Sequence, residues 1–331
     1  MFWSTSCFEV VHAWDLKTIS IRDLFAEHED QLVDGNFSPS DKGEDETRQL
    51  GKWNSMDKIL DLMGKHDELR RIAREKTGQI LQVATLTLKN PRNGRPKKMI
   101  LANTHLFYHP MADHIRAMQT YVVCKKIDEV RRRDGSDPYP LVFCGDLNSD
   151  PLSGAVQLLF TRSVLPHHDT WKHLHDYRWE MGDSSWMLEH GFIGNECDPE
   201  EDPLYVEETF EEAHEDEESL ADKSVAEPFH PPPIVLPASF PNLVSGCPDM
   251  PEFTNFAVDF VETLDYVLAS ETSEHERYGF RPKKAAPMPN AEEISRYVAM
   301  PNEFMPSDHV SVVCDLEWTT NETSQGTDEK S

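Results

Sequence analysis

Cations are scarce in this sequence: 32 Lys and Arg stand against 60 Asp and Glu, a formal net charge of −28 over 331 residues. Taken as a whole, that balance argues against a protein that grips nucleic acid through a broad basic face. No apolar run comes near the ~20 residues of a membrane span, so no membrane partner is expected. The opening Met1-Phe2-Trp3-Ser4-Thr5-Ser6 lacks the basic start and apolar core of a secretory signal, and an intracellular location is the expectation. The cysteines (Cys7, Cys124, Cys144, Cys197, Cys247, Cys314) include no C-x-x-C pair, which argues against a zinc site or a disulfide framework and for reduced thiols. Internal repeats are absent too. Strands and helices do not alternate regularly, so a doubly wound parallel sheet fits poorly. What is present is 38% hydrophobic residues, enough to bury a core in one large or two modest domains.

The negative charge is unevenly placed. Glu196 to Glu227 holds fifteen acidic residues against the single Lys223, which is half of the excess. Residues 195–233, dense in Glu and Asp and closing on Pro231-Pro232-Pro233, are therefore expected to be a disordered insertion within the domain rather than a second domain. Such a tract is most often a solvated loop, and a protein partner for it is the other possibility. Outside it the charge is only moderately acidic, and a divalent metal would reverse the sign that a phosphate meets locally. Residues 319–331 form a polar tail, leaving 1–318 as the domain.

Cys7 to Ile21 and Gln79 to Leu88 alternate as strands do, and Lys98 to Thr104 returns as a second strand after the Pro/Gly-rich loop at Asn90 to Pro96. Met56 to Glu75 reads as a polar surface helix. Met111 to Arg133 has apolar residues at close to helical spacing, Leu141 to Cys144 is a short apolar strand, and Ala155 to Phe160 a short helix. Order is expected to return near Phe253. Thr263 to Leu268 and Val310 to Trp318 then read as strands. Mixed strands and helices with hairpins suit an α+β fold: a two-sheet β-sandwich under flanking helices.

Four polar runs close apolar stretches: Asn103-Thr104-His105, Asp146-x-Asn148, Asp265-Tyr266 and Ser307-Asp308-His309. Asp and Asn two residues apart, after a strand ending in glycine, aim a carboxylate and an amide at one spot above a sheet. Each run also has an ordinary role open to it. Asp146 and Asn148 are common turn residues, His105 could be a satisfied core histidine, Asp265 an edge residue and Asp308 a turn residue. Strand ends converging on one rim would bring all four together.

The texts "ANTHLFYHP", "FCGDLNSDPLSG", "FTNFAVDFVETLDYV" and "PSDHVSVVCDLEW" resemble the endonuclease/exonuclease/phosphatase superfamily, in its deadenylase-like branch. The resemblance runs from Phe2 to Trp318 apart from the acidic insertion. It implies a four-layer α/β/β/α sandwich and hydrolysis of phosphodiesters or phosphomonoesters with Mg2+, Mn2+ being possible. It also implies roles. Asp146 would orient or deprotonate water, with Asn148 holding that water or a metal-bound oxygen. His309 would stabilise charge on the phosphorane-like state, with Asp265 fixing its tautomer, and His105 would contact a phosphate oxygen with Asn103 behind it. Asp308 joins Asp146 and Asn148 as a candidate metal ligand. Phe260 and Pro110 match the residues that sandwich an adenine, and Asn255 could donate to base or sugar. The implied substrate is an RNA 3′ end or oligoadenylate.

One expected part is missing. In the resembled family the strongest magnesium ligand is a Glu on an early strand, and no counterpart precedes Glu9, which stands in the wrong place to replace it. The chain is thus expected to be incomplete at the N-terminus, with apolar surface left exposed and the metal weakly held. A compartment, mitochondrial matrix or cytoplasm, is left undetermined. Two alternatives stand beside a 3′ exoribonuclease: a binding module that keeps the phosphate and base pocket, and a nucleotide phosphatase of the same superfamily.

Overall fold

The computed structural model describes residues 4–34, 55–91, 98–134, 137–179 and 231–321. The acidic insertion, residues 195–233, falls outside these except for its last three residues. Thirteen strands run in chain order: β1 (Phe8–Glu9), β2 (Leu16–Ser20), β3 (Ile80–Leu88), β4 (Lys98–His105), β5 (Leu141–Asp146), β6 (Ser163–Val164), β7 (Ile234–Val235), β8 (Leu243–Ser245), β9 (Asn255–Ala257), β10 (Phe260–Glu262), β11 (Asp265–Ser270), β12 (Tyr278–Ala285) and β13 (Cys314–Thr320). The helices are α1 (Ile21–Asp34), α2 (Ser55–Lys65), α3 (Asp67–Arg71), α4 (Asp113–Arg131), α5 (Gly154–Thr161) and α6 (Ala291–Ser295).

Seven strands make the main sheet in the order β1-β3-β4-β5-β11-β8, with β2 also on β3. All its pairs are antiparallel except β4 with β5. A parallel pair needs a crossover, and the 19-residue α4 supplies it. The alternation of β3 to β5 decides which way each residue faces. Leu81, Val83, Ile100, Ala102, Leu141 and Phe143 join the large core under α1, α2, α4 and α5. Ala84, Leu86, Met99 and Val142 point the other way and meet Phe280, Leu316 and Trp318 of the β12–β13 pair. The order is therefore helices, main sheet, second sheet.

Several expectations are corrected. Cys7 to Ile21 is not one strand, because a 3-10 turn at Ala13–Asp15 divides it and Ile21 opens α1. Met56 to Glu75 is not a surface helix. It breaks at His66, and Met56, Ile59, Leu62, Met63, Leu69 and Ile72 are buried, their charged neighbours having hidden one apolar face. Order returns well before Phe253, with β7 and β8, and β13 carries the last strand to Thr320. The five-residue α6 packs through Ile294 with Phe253 and Phe256 in a third, smaller cluster. Val11, Trp14, Leu16 and Ile80 are exposed around the β2 edge. The five described cysteines are unpaired. No described helix is long and apolar enough to cross a membrane.

Candidate active site

Three central strands end together. In register, His105 lies opposite Asp146 across β4 and β5, and Asp146 lies opposite Asp265 across β5 and β11. The hydrogen bonds continue one residue past the strands, from Leu106 N to Asp146 O at 3.0 Å and from Leu147 N to Leu264 O at 2.8 Å. The rim is thus held from both sides. Gly145 is required one step below it, because a Cβ there would lie 2.0 Å from the carbonyl oxygen of Thr104.

Asp146 Oδ1 accepts the Asn148 amide at 2.9 Å, a local turn that fixes the carboxylate. Asn148 sits at φ 46°, a left-handed conformation that asparagine tolerates, and its Nδ2 donates to Leu106 O at 3.0 Å. The other carboxylate oxygen, Oδ2, is 3.4 Å from His105 Nε2 and 4.0 Å from His309 Nε2. His309 Nδ1 meets Asp265 Oδ2 at 2.7 Å. Asp265 is itself pinned, since its amide and that of Leu264 donate to the buried Thr254 hydroxyl at 2.9 and 2.8 Å. His309 comes from a different segment, bridged to Asn255 at the start of β9.

Burial raises the Asp146 carboxyl above the ordinary carboxylate range, against the Asn148 amide and the His105 imidazole, which pull it down. For His309, burial acts to lower the imidazole, but the Asp265 hydrogen bond and charge outweigh it, helped by Asp146 and Asp308, and the net shift is upward. Both groups of the pair thus hold a proton more tightly than their free forms.

Asp146, Asp265 and His309 place one ligand atom each within 4.8 Å of one another, and among the described residues they are the one such acid and histidine group. Asp308, expected as a ligand, lies outside it, and its carbonyl accepts from Phe256 N at 2.9 Å. A hard cation that keeps most of its water needs only one or two carboxylates. Two carboxylates and an imidazole placed this closely fit a hard divalent cation anchored on Asp146.

The remaining candidates spread outward from this centre. Asn103 is two residues back on β4, paired across to Cys144, so it lies inside the sheet rather than at the rim. Pro110 is on the 3-10 turn after His109, while Phe260 is on β10, 46% exposed. Asn255 is buried, and its Oδ1 has no hydrogen-bond partner among the described residues. One organising residue escaped the sequence: Arg116, buried on α4. It donates to Ser149 Oγ at 3.1 Å and Phe107 O at 3.2 Å, and pairs with Asp113 at 2.6 Å, tying the loop after His105 to the loop after Asn148. A charged residue inside an apolar helical stripe was the only signal available.

The fold has a solved counterpart. ANGEL2, described as a 2′,3′-cyclic phosphatase and solved with adenosine-2′,3′-vanadate, matches 95% of this chain and 68% of its own at a TM-score of 0.51 and 16% identity. That likeness shows the fold. Together with the sequence relatives it supports assignment to the endonuclease/exonuclease/phosphatase superfamily. Among those relatives is the mouse 2′,5′-phosphodiesterase 12, 27% identical over 250 residues, 76% of this chain and 31% of the relative. The human protein of that name is 25% identical over 249 residues, 74% of this chain and 30% of the relative. The CCR4-Not complex 3′-5′-exoribonuclease subunit Ccr4 of Candida glabrata is 22% identical over 231 residues, 69% of this chain and 20% of its own length. The chain thus spans just under a third of the 2′,5′-phosphodiesterase 12 relatives. No protein-family model matches it.

Proposed function

We propose that this chain is a magnesium-dependent phosphodiesterase that removes nucleotides from the 3′ end of poly(A) or from 2′,5′-linked oligoadenylate, inside the cell. The observation that carries the proposal is the placing of Asp146 Oδ2 between two imidazoles, at 3.4 Å from His105 and 4.0 Å from His309, with Asp265 behind His309 at 2.7 Å. The names of the relatives, a 2′,5′-phosphodiesterase and a 3′-5′ exoribonuclease, suggest the substrate class.

Asp146 takes the proton of the attacking water, a task its raised proton affinity suits. Asn148, locked by Leu106 and by its own turn, orients that water. Asp265 accepts from His309 Nδ1–H and favours the doubly protonated ring, whose Nε2–H then faces the charge that grows on the phosphorane oxygens. His105, with its side chain 67% exposed on the rim, donates to a non-bridging oxygen. When bound, Mg2+ or Mn2+ held by Asp146, with Asn148 and Asp308 as further candidates, would supply positive charge to the phosphate. Phe260 stacks a base against Pro110, and Asn255 donates to the base or sugar.

The test is incubation of the purified chain with 3′,5′- and 2′,5′-linked oligoadenylate, with magnesium and with chelator. Stepwise shortening that needs the metal supports the proposal, and intact substrate under all conditions sinks it. A second function, a module that binds without hydrolysis, is favoured by one observation: no glutamate joins the group formed by Asp146, Asp265 and His309 among the described residues. Binding without turnover in the same experiment would select it.

A further inference from the structure

β9 is the middle of a small unit beside the catalytic cluster. On one edge β10 pairs with it, setting Glu262 opposite Asn255 and Phe260 opposite Ala257. On the other edge the chain from Met300 to Val310 runs alongside: Val310 N donates to Thr254 O and Met300 N to Phe256 O, each at 2.8 Å, and Phe256 N donates to Asp308 O at 2.9 Å. Asn255 bridges His309, so one end of β9 touches the catalytic group. The other end, about 7 Å away at 3.3 Å per residue, carries Phe260 on one edge and the loop entering Met300 on the other.

That loop shows apolar groups to water. Tyr297, Val298 and Phe304 are 47%, 78% and 63% exposed, and the Tyr297 and Phe304 rings pack on each other with centroids 4.9 Å apart at 59°. Their chain neighbours Ile294, Ala299 and Met300 are buried with Phe253 and Phe256 in one small cluster, which anchors the segment. Val298 holds φ 70°, a left-handed conformation that is costly for a β-branched residue. An exposed aromatic pair on an anchored segment, beside a strained residue, is unlike the scattered single apolar groups of an ordinary surface.

We propose that Tyr297 and Phe304 form a second stacking platform, which receives the nucleobase next along the strand from the one held on Phe260. The inference rests on the phosphodiesterase proposed above and makes its substrate an oligonucleotide rather than a mononucleotide. Arg296, 68% exposed and only 4.0 Å from Glu292, stands beside the platform and can meet a phosphate. Glu292, Glu293 and Glu303 outnumber it on the same segment, so the local charge is net acidic. Stacking, not charge, then carries the contact, and its dependence on salt is shallow.

The experiment compares di- and tetra-adenylate on the full chain and on Tyr297→Ala, Phe304→Ala and Phe304→Trp. Stacking on an aromatic is worth enough for about a tenfold lower KM with the longer substrate, and that gain is lost in both alanine variants and regained in Phe304→Trp. A length-dependent gain that survives both alanine changes overturns the platform, as does an equal loss with both substrates. If the unaltered chain turns over neither substrate, the phosphodiesterase proposal fails on its own. The platform is then judged by binding of fluorescent tetra-adenylate: weakening in Phe304→Ala supports it, and equal binding overturns it, leaving a protein partner for the patch.

Discussion

Gly145→Ala is the smallest change that should disable the site without touching a reacting group. The new Cβ would sit 2.0 Å from Thr104 O, 3.1 Å from Thr104 C and 3.2 Å from Thr104 N, all backbone atoms in the partner strand. Carbon and oxygen come no closer than about 3.3 Å, so β4 and β5 must part by about 1 Å or more. This is the parallel pair whose next step is His105 opposite Asp146. Losing one or two ladder hydrogen bonds and bending the backbone costs about 2 to 4 kcal/mol. A displacement of that size at the reacting groups lowers turnover by about 100-fold. Urea unfolding and initial rates on oligoadenylate measure the two effects. Gly78→Ala is the control, since nothing lies within 4 Å of a Cβ built there. A Gly145→Ala protein as stable and as active as the unaltered chain would refute the packing argument.

Three further outcomes follow from the same geometry. Asp265→Asn removes the negative charge beside His309 Nδ1 and lets an amide N–H stand where the second carboxylate oxygen was, so turnover should fall at least about 100-fold while the unfolding midpoint moves little; full activity in a rate assay would remove Asp265 from the mechanism. Arg131 is fully buried and pairs with Glu276 at 2.6 Å and Asp128 at 3.4 Å, so Glu276→Gln leaves a buried cation half compensated and should cost about 3 kcal/mol by denaturant unfolding, whereas a cost below about 1 kcal/mol would show the pair to be idle. His114 is buried with Nδ1 unpartnered, and burial first, then the charge of Arg116, lowers its pKa from 6.5 to about 3. The unfolded chain takes up that proton below about pH 6.5 and the folded chain does not, so stability is full above pH 6.5 and drains away as the pH falls toward 3. At pH 5 the loss is about 2 kcal/mol. His114→Asn should flatten that slope between pH 6.5 and 4, and an unchanged slope would contradict the assignment.

How much of this was legible depended on whether the signal was local. β3, β4, β5 and α4 could be read because each is long enough for its alternation or helical spacing to repeat, and because the loops between them carry glycine and proline. β12 could not: Tyr278–Ala285 contains Pro282 and three basic residues, and it tolerates them only through an irregular register at Pro282/Lys284 on the small second sheet. β7 and β8, of two and three residues, are too short to show any period. In the site, three of the four polar runs lie at strand ends as read, whereas His309 sits on a bridge well before β13, and the register setting His105, Asp146 and Asp265 side by side is a long-range pairing that no local pattern encodes. Arg116 illustrates the same limit. Its role comes from carbonyls and a serine on two distant loops, which helical spacing does not report.

The central claim is that Asp146 drives phosphodiester cleavage from a rim held by three strand ends. The measurement that tests it most directly is the single-turnover rate on oligoadenylate with magnesium for Asp146→Asn beside the unaltered chain, with thermal unfolding of both. The account predicts a rate lower by about 1,000-fold or more in a protein that melts within a few degrees of the original. Cleavage at an undiminished rate by Asp146→Asn would contradict it.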